Sequence, residues 1–366
     1  MPNVRHFPAP PSLSLATLIP CLLATAPAQD TPALLLGNRW YDARTLEPGA
    51  TLTALDDLRP RVEPDGTVHF GDGLVDPARR LVLTAAAEHL RLLRSPDREL
   101  WRMPLSDLHL APPVQLARAR LTRDCVLVPD QEDDLVAIAL ADGKVRWHDG
   151  GGEHGELVHD DELVACFVTT DEGRTVRVLS LANGARSCAI QAPDGAEFLC
   201  LAPHGLVVGG STGATCHART GPRLFAVPGE VHAGIGDTHG FCLHVGQELL
   251  ALDPTGKERW RRPLAEQWPN TTRLTATRSG LLLVTQFQPN ADLGATVTAH
   301  APGTGEVVWR RTLPDLGVDH SKYWQDVTTC AHGETIVVTS HAAGGHWLAL
   351  LDRHGEVTGR IEAKSR

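Results

Sequence analysis

The sequence predicts an all-β fold, a β-propeller of seven four-stranded blades, with eight blades as the alternative count. Three observations predict it. A short phrase recurs along most of the 366 residues. Brief apolar, β-branched runs separate its copies. Tight-turn chemistry falls at the same place in each copy. Self-similarity at a period of about 40–50 residues is the mark of a propeller built from four-stranded units.

The clearest copies are Ala137-Ile138-Ala139-Leu140-Ala141-Asp142-Gly143-Lys144-Val145-Arg146-Trp147 and Ala299-His300-Ala301-Pro302-Gly303-Thr304-Gly305-Glu306-Val307-Val308-Trp309. A copy one residue shorter runs from Ala251 to Trp260, with Thr255-Gly256 at its turn. Each reads as strand, tight turn, strand, because a residue tolerant of positive φ stands where a hairpin needs one.

In chain order, an incomplete copy comes first, at Trp40 to Thr45, inside a hairpin near Leu34–Leu55. It is either half an eighth blade or a strand pair that helps close the ring. Leu92 to Trp101 follows, with Ser95-Pro96-Asp97 at the turn. Val178 to Cys188 has Asn183-Gly184, and Cys216 to Phe225 has Thr220-Gly221. Leu348 to Gly359 has lost the aromatic. The anchor positions 101, 147, 188, 225, 260, 309 and 359 are 35 to 50 residues apart. The aromatics Trp101, Trp147, Trp260 and Trp309 are expected to pack between neighbouring sheets as structural anchors.

Two further apolar runs precede most phrases, such as Phe198-Leu199-Cys200-Leu201 and Leu206-Val207-Val208, or Val327-Thr328-Thr329-Cys330 and Thr335-Ile336-Val337-Val338. Runs this short, bounded by Gly, Pro, Asp or Asn, are strands rather than helices. Each unit is therefore strand A, turn, strand B, loop, strand C, turn, strand D. Seven such units span roughly residues 64–363.

Residues 1–28 have the form of a secretory signal: Arg5, an apolar stretch from Leu13 to Ala26, then Ala26-Pro27-Ala28 as a cleavage site. Pro20 stands where a small residue should precede a lipidated Cys21. The organisation expected is signal 1–28, an extension with a partial blade at 29–63, and the propeller at 64–366. The net charge of −10 excludes a nucleic-acid groove. No apolar span follows the signal, so the mature chain is expected to carry no transmembrane segment and to be periplasmic or secreted; it is also expected to be monomeric. Cys166 and Cys188, and likewise Cys200 and Cys216, fall on strands two apart in one sheet. That separation, about 9–10 Å, is beyond disulfide reach, so free thiols are expected.

The candidates for chemistry are few. His204-Gly205, His239-Gly240 and His332-Gly333 recur at the A–B turn, where the imidazoles either converge on a metal or take positive φ in place of Asn. On the opposite face, B–C loops carry Asp130, Glu132, Asp133 and Asp134, and then Asp171 and Glu172. Clustered carboxylates suit Ca²⁺ or a basic partner, and equally a solvated loop. His341 and His346, with His320, are candidates for a transition-metal site. The linker from His148 to Asp161 is rich in His and acid, and its three glycines suggest mobility.

The phrase resembles that of the pyrroloquinoline-quinone-like repeat propellers, Ala-x-Asp-x-x-Thr-Gly-x-x-x-Trp, matched best at Ala299, Thr304, Gly305 and Trp309. Most copies lack the Asp and three lack the Trp. That family includes quinoprotein alcohol dehydrogenases and the propeller lipoprotein of the outer-membrane β-barrel assembly machine. The resemblance implies that any cofactor sits among the B–C and D–A loops. The dehydrogenases carry adjacent cysteines over the quinone, and an Asp base beside a Ca²⁺ held by Glu and Asn. This chain has no Cys-Cys and no matching stretch. No catalytic residue is carried over, and pyrroloquinoline quinone is not expected. The expected function is a non-catalytic scaffold of the cell envelope that binds a protein partner. The alternative is an enzyme: a divergent quinone oxidoreductase, or a hydrolase or lyase of an envelope polymer.

Overall fold

The computed structural model describes residues 33–364, except 37–38, 43–45, 47, 52–60, 63–66, 71–72, 87, 95–97, 113, 115, 131–133, 265–271, 278, 288–293, 315–324, 333–334 and 343–344. The signal segment and Cys21 lie outside the described residues. Seven blades follow one another, each an antiparallel sheet in the order A-B-C-D. Blade 1 comprises Gly73–Asp76, Leu81–Ala86, His89–Arg94 and Arg98–Pro104. Blade 2 comprises Arg120–Leu121, Cys125–Pro129, Leu135–Ala139 and Val145–Asp149. Blade 3 comprises Glu153–His159, Leu163–Thr170, Gly173–Ser180 and Arg186–Gln191. Blade 4 comprises Ala196–Ala202, Gly205–Gly210, Gly213–His217 and Arg223–Pro228. Blade 5 comprises Val231–Asp237, Gly240–Val245, Glu248–Leu252 and Glu258–Pro263. Blade 6 comprises Thr272–Ala276, Leu282–Phe287, Ala295–His300 and Val307–Leu313. Blade 7 comprises Gln325–His332, Thr335–Ala342, Gly345–Leu351 and Val357–Lys364.

The fold is the seven-bladed β-propeller the repeat predicts. The apolar cores lie between successive blades. Leu127, Ala137 and Trp147 of blade 2, for example, meet Leu157, Val164 and Leu179 of blade 3. From blade 3 to blade 7, each strand A packs on strand A of the next blade. The described helices are two short 3₁₀ turns, Leu105–Leu108 and Leu116–Arg118.

The recurrent phrase has a single physical explanation. In all seven blades the C–D ladder carries a bulge immediately before the anchor position. The anchors pair as Leu92 with Trp101, Ala137 with Trp147, Val178 with Cys188, Cys216 with Phe225, Ala251 with Trp260, Ala299 with Trp309 and Leu350 with Gly359. A bulge re-aims the side chain beside it, here across the seam to the next blade. Nε1 of Trp101 donates to Leu140 O, that of Trp147 to Leu181 O, that of Trp260 to Pro302 O and that of Trp309 to Arg353 O, each at 2.9 Å. All four acceptors lie at the C–D turn of the following blade.

The glycine of that same turn lies under the ring. A Cβ on Gly184 would sit 2.8 Å from Trp147, one on Gly305 2.5 Å from Trp260, and one on Gly355 2.6 Å from Trp309. These glycines also hold φ of +70°, +68° and +77°. Gly is therefore required twice over, by backbone conformation and by the neighbour's ring. Each phrase gives its Gly to the preceding blade and its Trp to the following one.

The early hairpin is a three-stranded sheet, Ala33–Leu36, Arg39–Asp42 and Pro48–Thr51. Its Leu46, at φ +58°, packs on Cys330, Val337, Leu348 and Leu350 of blade 7. It covers Gly359, the anchor position that lost its aromatic. Large and small residues are thus exchanged at this joint: the turn supplies the side chain and the anchor supplies the space.

Blade 1 carries more than the sequence predicts. Arg61–Val62 and Val68–Phe70 extend its sheet beyond strand A to six strands. Val68 and His69 are buried. His69 Nδ1 lies 3.2 Å from Leu116 O, where the 3₁₀ turn Leu116–Arg118 packs against blades 1, 2 and 3. Strands of two and three residues are too short to show a period, so they read as loop.

Candidate binding face

The B–C and D–A loops share one face, and between blades 2 and 3 they form a built polar cluster. Strand D of blade 2 ends at Asp149 and reaches strand A of blade 3 through Gly150, Gly151 and Gly152. Arg177, on strand C of blade 3, donates from Nη1 to Asp149 Oδ2 at 2.7 Å and to Gly150 O at 2.8 Å. Its Nη2 donates to Gly151 O at 2.7 Å. Arg186 Nη2 donates to Asp149 Oδ1 at 3.3 Å, and His154 Nε2 lies 3.2 Å from Oδ2. Since a carboxylate only accepts, the His154 ring carries its proton on Nε2 in this contact.

Burial alone would raise the Asp149 carboxyl. The hydrogen bonds from His154 and Arg177, with the Arg177 charge, outweigh burial and hold it well below the usual carboxylate range. Gly152, at φ +150°, lies so close that a Cβ would be 2.5 Å from Val168. The expectation that these glycines make the linker mobile is therefore corrected: their carbonyls are the acceptors that pin it. Arg177 and Arg186 were missed by the sequence reading. The available signal was an Arg in the middle of the buried run Val176-Arg177-Val178.

The acidic loop of blade 2 adjoins this cluster. Asp130 accepts from Ala111 N at 3.2 and 3.3 Å with its two oxygens, and Asp130 N donates to Asp134 O at 2.6 Å. The Asp134 carboxylate faces Gly150, where a Cβ would stand 2.6 Å from Oδ1. Glu132 and Asp133 lie outside the described residues, as does His320. On blade 3 the B–C turn exposes Asp171 and Glu172. His341 and His346 are opposed across the B–C hairpin of blade 7. Among the described residues, no group of three or more His, Cys, Asp or Glu side chains is placed to share a metal ion.

On the opposite face, His204 Nε2 donates to Thr238 O of the next blade at 2.7 Å. Neither His204 nor His239 adopts positive φ. The expectation that His takes positive φ at these turns is corrected: at the second of them it is Gly240 (φ +131°) that does. A small cavity opens here between blades 5 and 6, lined by Ile235, Phe241, Cys242, Trp260, Leu282 and Pro302, with Asp237 and Arg259 at its rim. Both charged groups are already engaged: Asp237 accepts from His239 N at 2.7 Å and Arg259 donates to Pro302 O at 3.2 Å. Its free volume of about 40 Å³ holds a few waters, not a multi-ring cofactor.

The seven cysteines from Cys125 to Cys330 are free thiols. Val207 pairs with both Cys200 and Cys216, so one strand stands between them. No two of the seven are adjacent in the sequence, so the quinone-contacting pair has no counterpart among them.

Residues 86–211 match the family model described as outer membrane protein assembly factor BamB. Over that third of the chain, the propeller resembles the PQQ-like repeats. No curated protein matches its sequence. Among solved structures, apo AztD from Citrobacter koseri is 13% identical, covering 91% of this chain and 94% of that one, with a TM-score of 0.58. A europium-containing methanol dehydrogenase is 12% identical over 82% of this chain and 78% of its own, with a TM-score of 0.52. KlHsv2 with loop 6CD replaced by a Gly-Ser linker is 10% identical over 83% and 97%, with a TM-score of 0.53. These similarities establish the fold. No helix among the described residues is long and apolar enough to cross a membrane.

Proposed function

We propose that this propeller is a non-catalytic scaffold of the cell envelope, periplasmic or secreted, that binds a protein partner through its B–C and D–A loops. The match of residues 86–211 to the outer membrane assembly-factor model carries this reading. The rigid linker between blades 2 and 3 supports it, because a surface fixed in advance loses little entropy on binding. The partner surface is the acidic one formed by the B–C loops of blades 2 and 3: Asp130, Glu132, Asp133 and Asp134, then Asp171 and Glu172. Its partner presents basic side chains. Ca²⁺ across the same carboxylates is the competing occupant. His341 and His346 lie on the same face, outside this surface.

The test is affinity capture of the tagged mature protein from its native envelope after mild crosslinking, with recovery read by mass spectrometry. A stoichiometric partner lost in the Asp171→Asn, Glu172→Gln variant supports the surface. Recovery of the protein alone sinks the scaffold reading. The similarity to a methanol dehydrogenase favours one second reading, a quinone oxidoreductase. Reconstitution with quinone and metal, followed by a dye-linked oxidation assay, distinguishes it.

A further inference from the structure

Strand B of blade 5 buries His244, of which 1% is exposed. Neither of its ring nitrogens has a hydrogen-bond partner among the described residues. The His232 ring, from strand A, lies 4.8 Å away centroid to centroid at 48°. His232 Nδ1 is in turn 3.7 Å from Glu230 Oε1. A buried imidazole with both nitrogens unsatisfied is costly and uncommon. It persists here only as the neutral ring.

Among the described residues, the charged groups nearby are engaged elsewhere. Ala233, His244, Leu249 and Arg262 form one cross-strand row. Strand alternation puts His244 on the side of Cys242, which packs with Leu274, Leu282 and Val284 of blade 6. The same alternation brings Thr272 and Gln286 of blade 6 to this seam, where Gln286 Nε2 donates to Thr272 Oγ1 at 3.3 Å. Arg262, two strands out in the row, donates to Thr304 O at 2.8 Å. Glu248, on strand C, pairs with Arg261 at 2.7 Å. Among the described residues, the carboxylate near the imidazoles is Glu230, and it lies beside the His232 ring.

The geometry points to an acid-sensitive latch: the paired rings of His232 and His244 keep the B–C end of the seam between blades 5 and 6 closed, and protonation of His244 opens it. A proton on His244 puts a charge into an apolar seam, against the His232 ring. Burial, then the neighbouring His232, push His244 down to about 4 from 6.5, and the Gly246 backbone, outside hydrogen-bonding geometry, opposes them weakly. The unfolded or opened chain therefore binds the proton first. The latch contributes fully above about 6.5 and is lost as pH falls towards 4. Across that window the closed-to-open ratio falls by up to about 300-fold, tenfold for each unit of pKa difference.

The test is hydrogen exchange of the full chain at pH 7 and pH 5, read as protection factors. Residues 231–252 are expected to lose protection at pH 5 by at least tenfold more than blade 3. His244→Leu should remove that difference, and His244→Gln, similar in shape and without a titration, should do the same if the Leu variant does not fold. Equal protection losses in both blades would overturn the latch. So would an unchanged pH response in both variants. Saturable binding of Zn²⁺ at pH 7, lost in His244→Gln, would overturn it in favour of a metal site.

Discussion

Gly305 and Gly303 occupy the same C–D turn of blade 6, yet replacing each by Ala should have opposite consequences. At Gly303 an added Cβ meets nothing within 4 Å, and φ is not in the left-handed region. That substitution should be neutral or stabilising by about 0.4–1 kcal/mol, through a less free unfolded chain. At Gly305 φ is +68°, and the added Cβ falls 2.5 Å from Trp260 Cε3 and 2.6 Å from Cδ2. The left-handed conformation costs Ala about 1 kcal/mol. Displacing a ring that is 7% exposed and tied to Pro302 O is overpacking, at about 1–3 kcal/mol. The sum is about 2–4 kcal/mol. With unfolding entropy near 2 cal/mol/K per residue over about 300 folded residues, that lowers Tm by about 3–7 °C. The assay is thermal and urea unfolding followed by tryptophan fluorescence. Adding Trp260→Phe should recover part of the Gly305→Ala loss, since the smaller ring leaves room for the methyl group. Equal stability of the two alanine variants would refute the two-neighbour account of the phrase, and so would strict additivity with Trp260→Phe.

Three further outcomes follow from the same geometry. Trp147→Phe should cost about 1–3 kcal/mol, because it leaves the buried Leu181 carbonyl unpaired. Trp309→Phe, whose bond to Arg353 O is exposed, should cost less than about 1 kcal/mol; urea midpoints compare the two. Asp149→Asn should destabilise by about 3–5 kcal/mol, since Arg177, with 9% of its side chain exposed, is left without its carboxylate. The depressed Asp149 carboxyl contributes stability above its unfolded value near 4, lost as pH falls through the lower folded value. The wild type should therefore lose more stability than Asp149→Asn between pH 5 and pH 2, as read by urea titration. The Cys166, Cys200 and Cys216 thiols, pushed up to about 12 chiefly by burial, should resist an uncharged thiol reagent at pH 8 until urea unfolds the chain. Half-buried Cys188 should react first, and peptide mapping of the labelled cysteines gives the order.

The propeller was legible because its determinants are local. Asp142-Gly143 or Thr304-Gly305 makes a turn wherever it occurs, and a Trp four residues later falls just past the bulge. The anchoring role of Trp101, Trp147, Trp260 and Trp309 was therefore readable. The reciprocal role of the glycines was not, because their partners lie in the preceding phrase. The Asp149 cluster was misread for the same reason. Its arginines arrive from strands 28 and 37 residues away, and three glycines in a row say nothing about what holds their carbonyls. His244 gave no signal at all, since its strand Phe241-Cys242-Leu243-His244-Val245 reads as an ordinary buried run.

The exchange of Leu46 and Gly359 bears on how the ring counts its blades. Every Trp-on-Gly joint is head-to-tail, so the trailing edge of one blade is compatible with the leading edge of any other. Left to itself such an interface specifies no end, and heterologous contacts of that kind can run on into open arrays. Blade 7 does not offer that edge. Its anchor is a space, and the side chain shaped for it comes from the N-terminal sheet. A foreign blade presenting a glycine turn would leave Gly359 facing an empty gap. Leu46 fills the space that Gly359 leaves, so this joint is closed by a side chain from the N-terminal sheet and not by a glycine turn.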